Sequence, residues 1–107
     1  MPKPAKEDTN AELRRLARNV LYLVRNVRRD LKIHQLAVLL LVQNSTMPLS
    51  VKDLATMLKF SKTSVTRAID RLQSDGLVTR EVSLVDRRLV EVQLLVGGAD
   101  YIRKFQD

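Results

Sequence analysis

The stretch Ser61–Gly76 (SKTSVTRAIDRLQSDG) restricts the fold more than any other part of the chain. Val65, Ala68, Ile69 and Leu72 fall at i, i+3, i+4 and i+7, the spacing of one apolar helical stripe. At roughly 100° per residue, Thr63, Thr66, Arg67 and Asp70 project from the opposite face, with Lys62 and Arg71 beside them. Ser61 stands where a cap is needed, and Gly76 where the helix should end. Such a helix buries one side and presents short hydroxyls and arginine on the other, a shape suited to lying in a groove. Two segments approaching period-2 alternation follow at once, Leu77–Val82 and Leu89–Leu94, joined by the basic-tipped loop Ser83–Arg88. They predict a β-hairpin.

Upstream, residues 1–8 read as a flexible leader and residues 9–31 as a long helix capped by Thr9 or Asn10. Leu13, Ala17, Val20, Val24, Val27 and Leu31 follow one another at steps of four and three, a coiled-coil-like seam. Leu16 and Leu23 widen it, and Arg14, Arg18, Arg25, Arg28 and Arg29 form a basic flank. Two readings fit this helix: a core-facing element with a solvated cationic side, or one that also packs against a partner subunit. Residues 33–43 are apolar on every side at their centre and predict a buried helix; 44–48 read as a loop. Ser50-Val51-Lys52-Asp53 is a capping box opening a short helix with Leu54, Ala55 and Leu58, and Lys59-Phe60 is a turn. Gly97-Gly98 breaks the pattern, and residues 99–107 can form a short C-terminal helix. The fold class is therefore mainly α with a small β-hairpin wing, a winged helix-turn-helix over residues 32–98.

Composition narrows the function. The 107 residues hold no Cys and one His, His34, so thiolate or multi-histidine metal sites and Cys nucleophiles are excluded. His34 reads as an ordinary helix residue. Asp53, Asp70 and Asp75 do not cluster as a general acid/base pair, and no glycine-rich phosphate loop occurs, so no enzyme chemistry, metal or cofactor is expected. The longest apolar run, Leu36–Val42, is far short of the roughly 20 residues of a spanning helix, and residues 1–10 lack the apolar core of a secretory signal. A soluble cytoplasmic protein is expected. The net charge of +7 favours a polyanionic partner, with nucleic acid ahead of an acidic membrane surface.

The residues also resemble a known family. Leu49-Ser50-Val51-Lys52-Asp53-Leu54-Ala55, Ser64-Val65-Thr66-Arg67, Asp70-Arg71-Leu72, Gly76-Leu77-Val78 and Asp86-Arg87-Arg88 form an ordered set that resembles the MarR family of transcriptional regulators. Leu31-Lys32-Ile33-His34-Gln35 looks like the start of that family's second helix, so the resemblance covers about residues 31–98. It implies a sequence-specific regulator of transcription that binds double-stranded DNA as a homodimer on a pseudo-palindromic operator. Such proteins are usually repressors released by a small-molecule effector. The recognition helix would be residues 61–74, with Lys62, Thr63, Thr66 and Arg67 nearest the bases of the major groove, Ser61 and Ser64 nearer phosphate, and Arg71 at their side. In the wing, residues 83–88, Arg88 would enter the minor groove, Asp86 would steady the loop by pairing with an arginine, and Arg87 would touch the backbone. The family's Leu-Thr-x-x-Gly appears as Leu94-Leu95-Val96-Gly97-Gly98, and the chain stops about nine residues after Gly98, short of the family's long C-terminal helices. Dimerisation is accordingly expected through Leu13, Ala17, Val20, Val24, Val27 and Leu31, with a tail around Tyr101, Ile102 and Phe105.

Plainer roles stand beside these. Thr63 and Thr66 can be solvent-facing, Arg67 can pair with Asp70 or Asp75, Asp86 can be a simple turn residue, and Arg88 a solvated loop tip. The alternative function is a winged-helix protein–protein interaction module that does not bind DNA specifically.

Overall fold

The computed structural model describes residues 3–26 and 31–106. The elements run α1 (Lys3–Asn26), α2 (Ile33–Asn44), β1 (Leu49–Ser50), α3 (Val51–Leu58), α4 (Lys62–Ser74), β2 (Val78–Val82), β3 (Val90–Leu94) and α5 (Val96–Gln106). They divide into two units: residues 1–30 with 103–107, and residues 31–102.

In the first unit, helix begins at Lys3, within the segment expected as a loose leader. Local chemistry allows it: a proline in the first turn, Pro4, removes an amide that has no intrahelical acceptor, and Ala5, Lys6 and Glu7 are good helix formers. Of the proposed dimer seam, Leu13, Ala17, Val20 and Val24 are all exposed, whereas Leu23 and Asn19 are buried. Val27 lies outside the described residues, and Leu31, half-buried, belongs to the second unit.

The second unit is built around Val38 and Leu39 of α2, Leu54 of α3, Val65, Ile69 and Leu72 of α4, and Val78 and Val92 of the sheet, all essentially inaccessible to solvent. The stripe that singled out α4 is the core face of the unit. The flanks of α2 are only half-buried at Leu36, Leu40, Leu41 and Val42, and Ile33 is exposed, so the helix is buried at its centre alone. The capping box at α3 closes as expected: the Asp53 amide donates to Ser50 Oγ and the Ser50 amide to Asp53 Oδ2, both at 3.0 Å. Lys59, at φ 59°, makes the left-handed turn into α4.

At the far end of α4 the Leu77 amide donates to the Leu72 carbonyl and the Gly76 amide to that of Gln73. This termination requires a positive φ, 75° at Gly76, which glycine adopts without steric cost.

The sheet has three antiparallel strands in the order β1-β3-β2, one more than the hairpin alone. Leu49 and Ser50 lie opposite Val92 and Glu91, while β2 and β3 pair from Val78↔Leu94 to Val82↔Val90. The C-terminal helix starts at Val96, not at residue 99, and takes in both glycines. A Cβ on Gly97 would stand 2.7 Å from the Gly76 carbonyl oxygen, and one on Gly98 would overlap that of Leu77. The glycine pair is thus where α5 meets the backbone that ends α4. Tyr101 and Ile102 are buried within the chain, and the Phe105 side chain lies outside the described residues.

Candidate nucleic-acid interface

With Val65, Ala68, Ile69 and Leu72 turned inward, α4 exposes Lys62, Thr63, Ser64, Thr66, Arg67 and Asp70. Its N-cap is Ser61, whose Oγ accepts from the Ser64 amide at 3.1 Å and donates to Ser64 Oγ at 3.0 Å. The proposed reading residues therefore stand on the first two turns of a helix whose entry is fixed. Arg71 lies further along, and its Nε donates to Asp75 Oδ2 at 3.0 Å.

Arg67 has no ion-pair partner among the described residues. Asp75 is taken by Arg71, and Asp70 by a residue the sequence reading did not single out, Arg80 of β2. The Arg80 guanidinium donates to Asp70 Oδ1, to Gln73 Oε1 and, at 3.2 Å, to the Thr66 carbonyl. These acceptors sit at i, i+4 and i+7 on α4, so one side chain clasps two turns of the helix to the strand that leads into the wing.

The wing tip is equally defined. Asp86 accepts from three nitrogens of Arg88: Nε and one terminal nitrogen at 3.0 Å each, and the amide at 3.1 Å. Hydrogen bonding by the guanidinium, and then by the amide, holds the Asp86 carboxyl below its usual range, and the same carboxylate raises the pKa of Arg88. The arginine expected to brace Asp86 is thus Arg88 itself, the residue expected to enter the minor groove. Arg87 is exposed and has no ion-pair partner among the described residues.

Lys62 and Thr66 of α4, Lys52 of α3, Arg80 of β2 and Arg88 of the wing come together around a cleft of about 320 Å³, completed by Ser50, Val51, Leu89 and Val90. Lys52 and Arg80 were not among the expected site residues. Lys52 stands in the first turn of the capped helix, where any polar residue reads as solvated. Arg80 occupies one polar position of an alternating strand, indistinguishable by sequence from a solvent-facing one. Among the described residues no group of His, Asp or Glu is arranged to hold a metal ion, and no helix is long and apolar enough to cross a membrane.

A capped helix presented between a preceding short helix and a three-stranded sheet with a basic hairpin tip defines a winged helix-turn-helix protein. The model of the MarR family matches residues 29–89. The chain belongs to the MarR family.

Solved structures agree on the fold. A transcriptional regulator of Thermotoga maritima is 21% identical with a TM-score of 0.77, over 96% of this chain and 70% of that one. Wild-type MarR of E. coli in its apo form is 24% identical with a TM-score of 0.69, over 94% and 72%. A MarR-like transcriptional regulator, also of Thermotoga maritima, is 27% identical with a TM-score of 0.65, over 94% and 72%. No curated protein matches the chain.

Proposed function

We propose that this protein is a transcriptional regulator that binds double-stranded DNA sequence-specifically, as a homodimer on a pseudo-palindromic operator, and acts as a repressor. The carrying observation is the convergence of Lys52, Lys62, Thr66, Arg80 and Arg88 from four elements on one cleft beside the exposed face of α4. The major groove, about 12 Å wide, admits one helix, whose N-terminal residues meet the base edges. On this reading Lys62, Thr63, Thr66 and Arg67 face the bases, while Ser61, Ser64 and Lys52 face phosphate. Arg71, paired to Asp75, stands at the margin. Arg88, aimed by Asp86, enters the minor groove, and Arg87 meets the backbone. Its chemistry is recognition by charge and hydrogen bonding, not catalysis.

A mobility-shift titration with random-sequence duplex DNA at two salt concentrations tests this. Binding should weaken steeply with salt, because each neutralised phosphate releases about 0.9 counterion. Replacing Lys52 or Arg87 by Ala should lower the salt slope by about one each. Absence of binding at low salt would refute the reading and leave a protein-interaction module.

A further inference from the structure

Leu84 and Val85, at the tip of the wing, are each 98% exposed, more than any other large apolar side chain among the described residues. Their loop is firmly built. Ser83 is buried, its Oγ accepts from the amides of Val85 at 3.2 Å and Asp86 at 3.1 Å, and its own amide donates to the Leu89 carbonyl. The Leu89 amide returns to the Asp86 carbonyl at 2.9 Å, closing a tight turn over Arg87 and Arg88. Two apolar side chains are therefore held out into water by a buried hydroxyl, immediately before two arginines.

The occupant that fits must be anionic at its rim and apolar within, and narrow enough for one loop. The minor groove of duplex DNA meets this description where a base step opens: it is about 6 Å wide and lined by phosphates, its floor carries polar base edges, and unstacking a step exposes apolar ring faces between them. Two side chains fall far short of the roughly 800 Å² per partner that a standard protein interface buries. Apolar wedges inserted from the minor groove partly unstack a base step and kink the duplex.

We propose that Leu84 and Val85 form such a wedge, entering the minor groove beside Arg88, so that the wing selects an easily unstacked step and bends the DNA. This rests on the DNA-binding reading above. Pyrimidine–purine steps, TA and CA/TG, unstack most easily and are the expected choice.

The test enriches binders from a pool of random 30-base-pair duplexes, using the unmodified protein and the Leu84→Ser/Val85→Ser variant in parallel. Both side chains are exposed, so the variant should keep the parent's thermal midpoint. The unmodified protein should enrich a half-site flanked at fixed distance by a TA or CA/TG step, and fluorescence energy transfer between the duplex ends should report a bend. The variant should keep the half-site, lose the step, bind the enriched duplex about tenfold more weakly and leave it straighter. Leu84→Ile/Val85→Ile should behave as the parent does. An unchanged step preference and bend in the serine variant would overturn the wedge while leaving DNA recognition intact. Failure of the unmodified protein to bind or enrich any duplex would overturn both. A change of oligomeric mass with unaltered DNA behaviour would show that the tip contacts protein, and would equally overturn the wedge.

Discussion

Asp86 and Arg88 are two residues apart in a loop, yet each carboxylate oxygen of Asp86 has an Arg88 donor. Arg88 is solvent-facing and Asp86 only half-buried, so the pair contributes little to global stability and acts instead by limiting where Arg88 can point. The pH dependence follows from the direction of the shift. A carboxyl held below its usual range keeps its pairing at every pH above the ordinary aspartate value of about 3.9 and loses it only as pH falls through the lowered one. DNA affinity should therefore show no titration from this pair between about pH 5 and 8. Asp86→Asn keeps the acceptor for the Arg88 amide but removes the charge that aims the guanidinium. It should weaken binding, and by less than Arg88→Ala does, as read by mobility shift at fixed salt. A larger loss in Asp86→Asn than in Arg88→Ala would mean that Asp86 does more than aim its neighbour. At this scale the sequence was informative about Asp86, whose need for an arginine was expected, and uninformative about which arginine. Arg80, Arg87 and Arg88 all lie close to Asp86 in the sequence, and only the folded turn sorts them.

Elements were legible where a periodic pattern coincided with its own boundaries. Helix α4 shows a stripe, a cap and a terminating glycine, each local, and forms as read. Strand β1 has two residues, too few for any alternation, and exists because Val92 and Glu91 of β3 supply its partners. Gly97-Gly98 departs from its local expectation for the opposite reason: two glycines disfavour helix, but tertiary packing needs a surface without side chains. Gly98→Ala should accordingly destabilise the fold by about 2–3 kcal/mol despite the higher helix propensity of alanine, because the methyl overlaps backbone. Chemical denaturation reads this directly, and a stabilised variant would show that α5 is free to move away. Arg80 joins elements that the sequence presents separately. Its three acceptors lie on α4, so Arg80→Ala should loosen the helix against the wing and leave Asp70 without its cation. The expected result is a loss of about 1–2 kcal/mol in stability with a larger proportional loss of sequence preference than of binding to random duplex. Arg80→Lys should recover charge but not the forked geometry, and hence little of that preference. Parallel loss of both kinds of binding would instead assign Arg80 to phosphate contact alone.

Across the whole molecule the charge is placed unexpectedly for a DNA reader. Residues 1–32 carry nine Lys and Arg against four acids, whereas residues 33–107 carry ten against eight. The proposed reading surface thus depends on where individual cations stand, Lys52, Lys62, Arg67 and Arg87 without an ion pair among the described residues and Arg80 and Arg88 held in place by theirs, more than on net charge. Helix α1 exposes Leu13, Ala17, Val20 and Val24 along one seam, with Arg14, Arg18 and Arg25 also exposed. A seam of this kind is unfavourable in water, and a second copy of α1 is the partner proposed for it. Pairing two arginine-rich helices brings like charges together, so added salt should favour association while it weakens DNA binding. The two equilibria can then be separated by their opposite response to salt. Leu13→Gln/Val20→Gln/Val24→Gln keeps good helix formers at each position but removes the apolar seam. Sedimentation equilibrium should report a dimer for the parent, more stable at high salt, and a monomer for the variant. The monomer should still bind a single half-site, since α4 and the wing are untouched, but should lose the cooperative use of two half-sites about one helical turn apart. A variant that remains dimeric would move the interface away from α1, and a dimer that dissociates as salt rises would show that ion pairs, not the seam, hold it together.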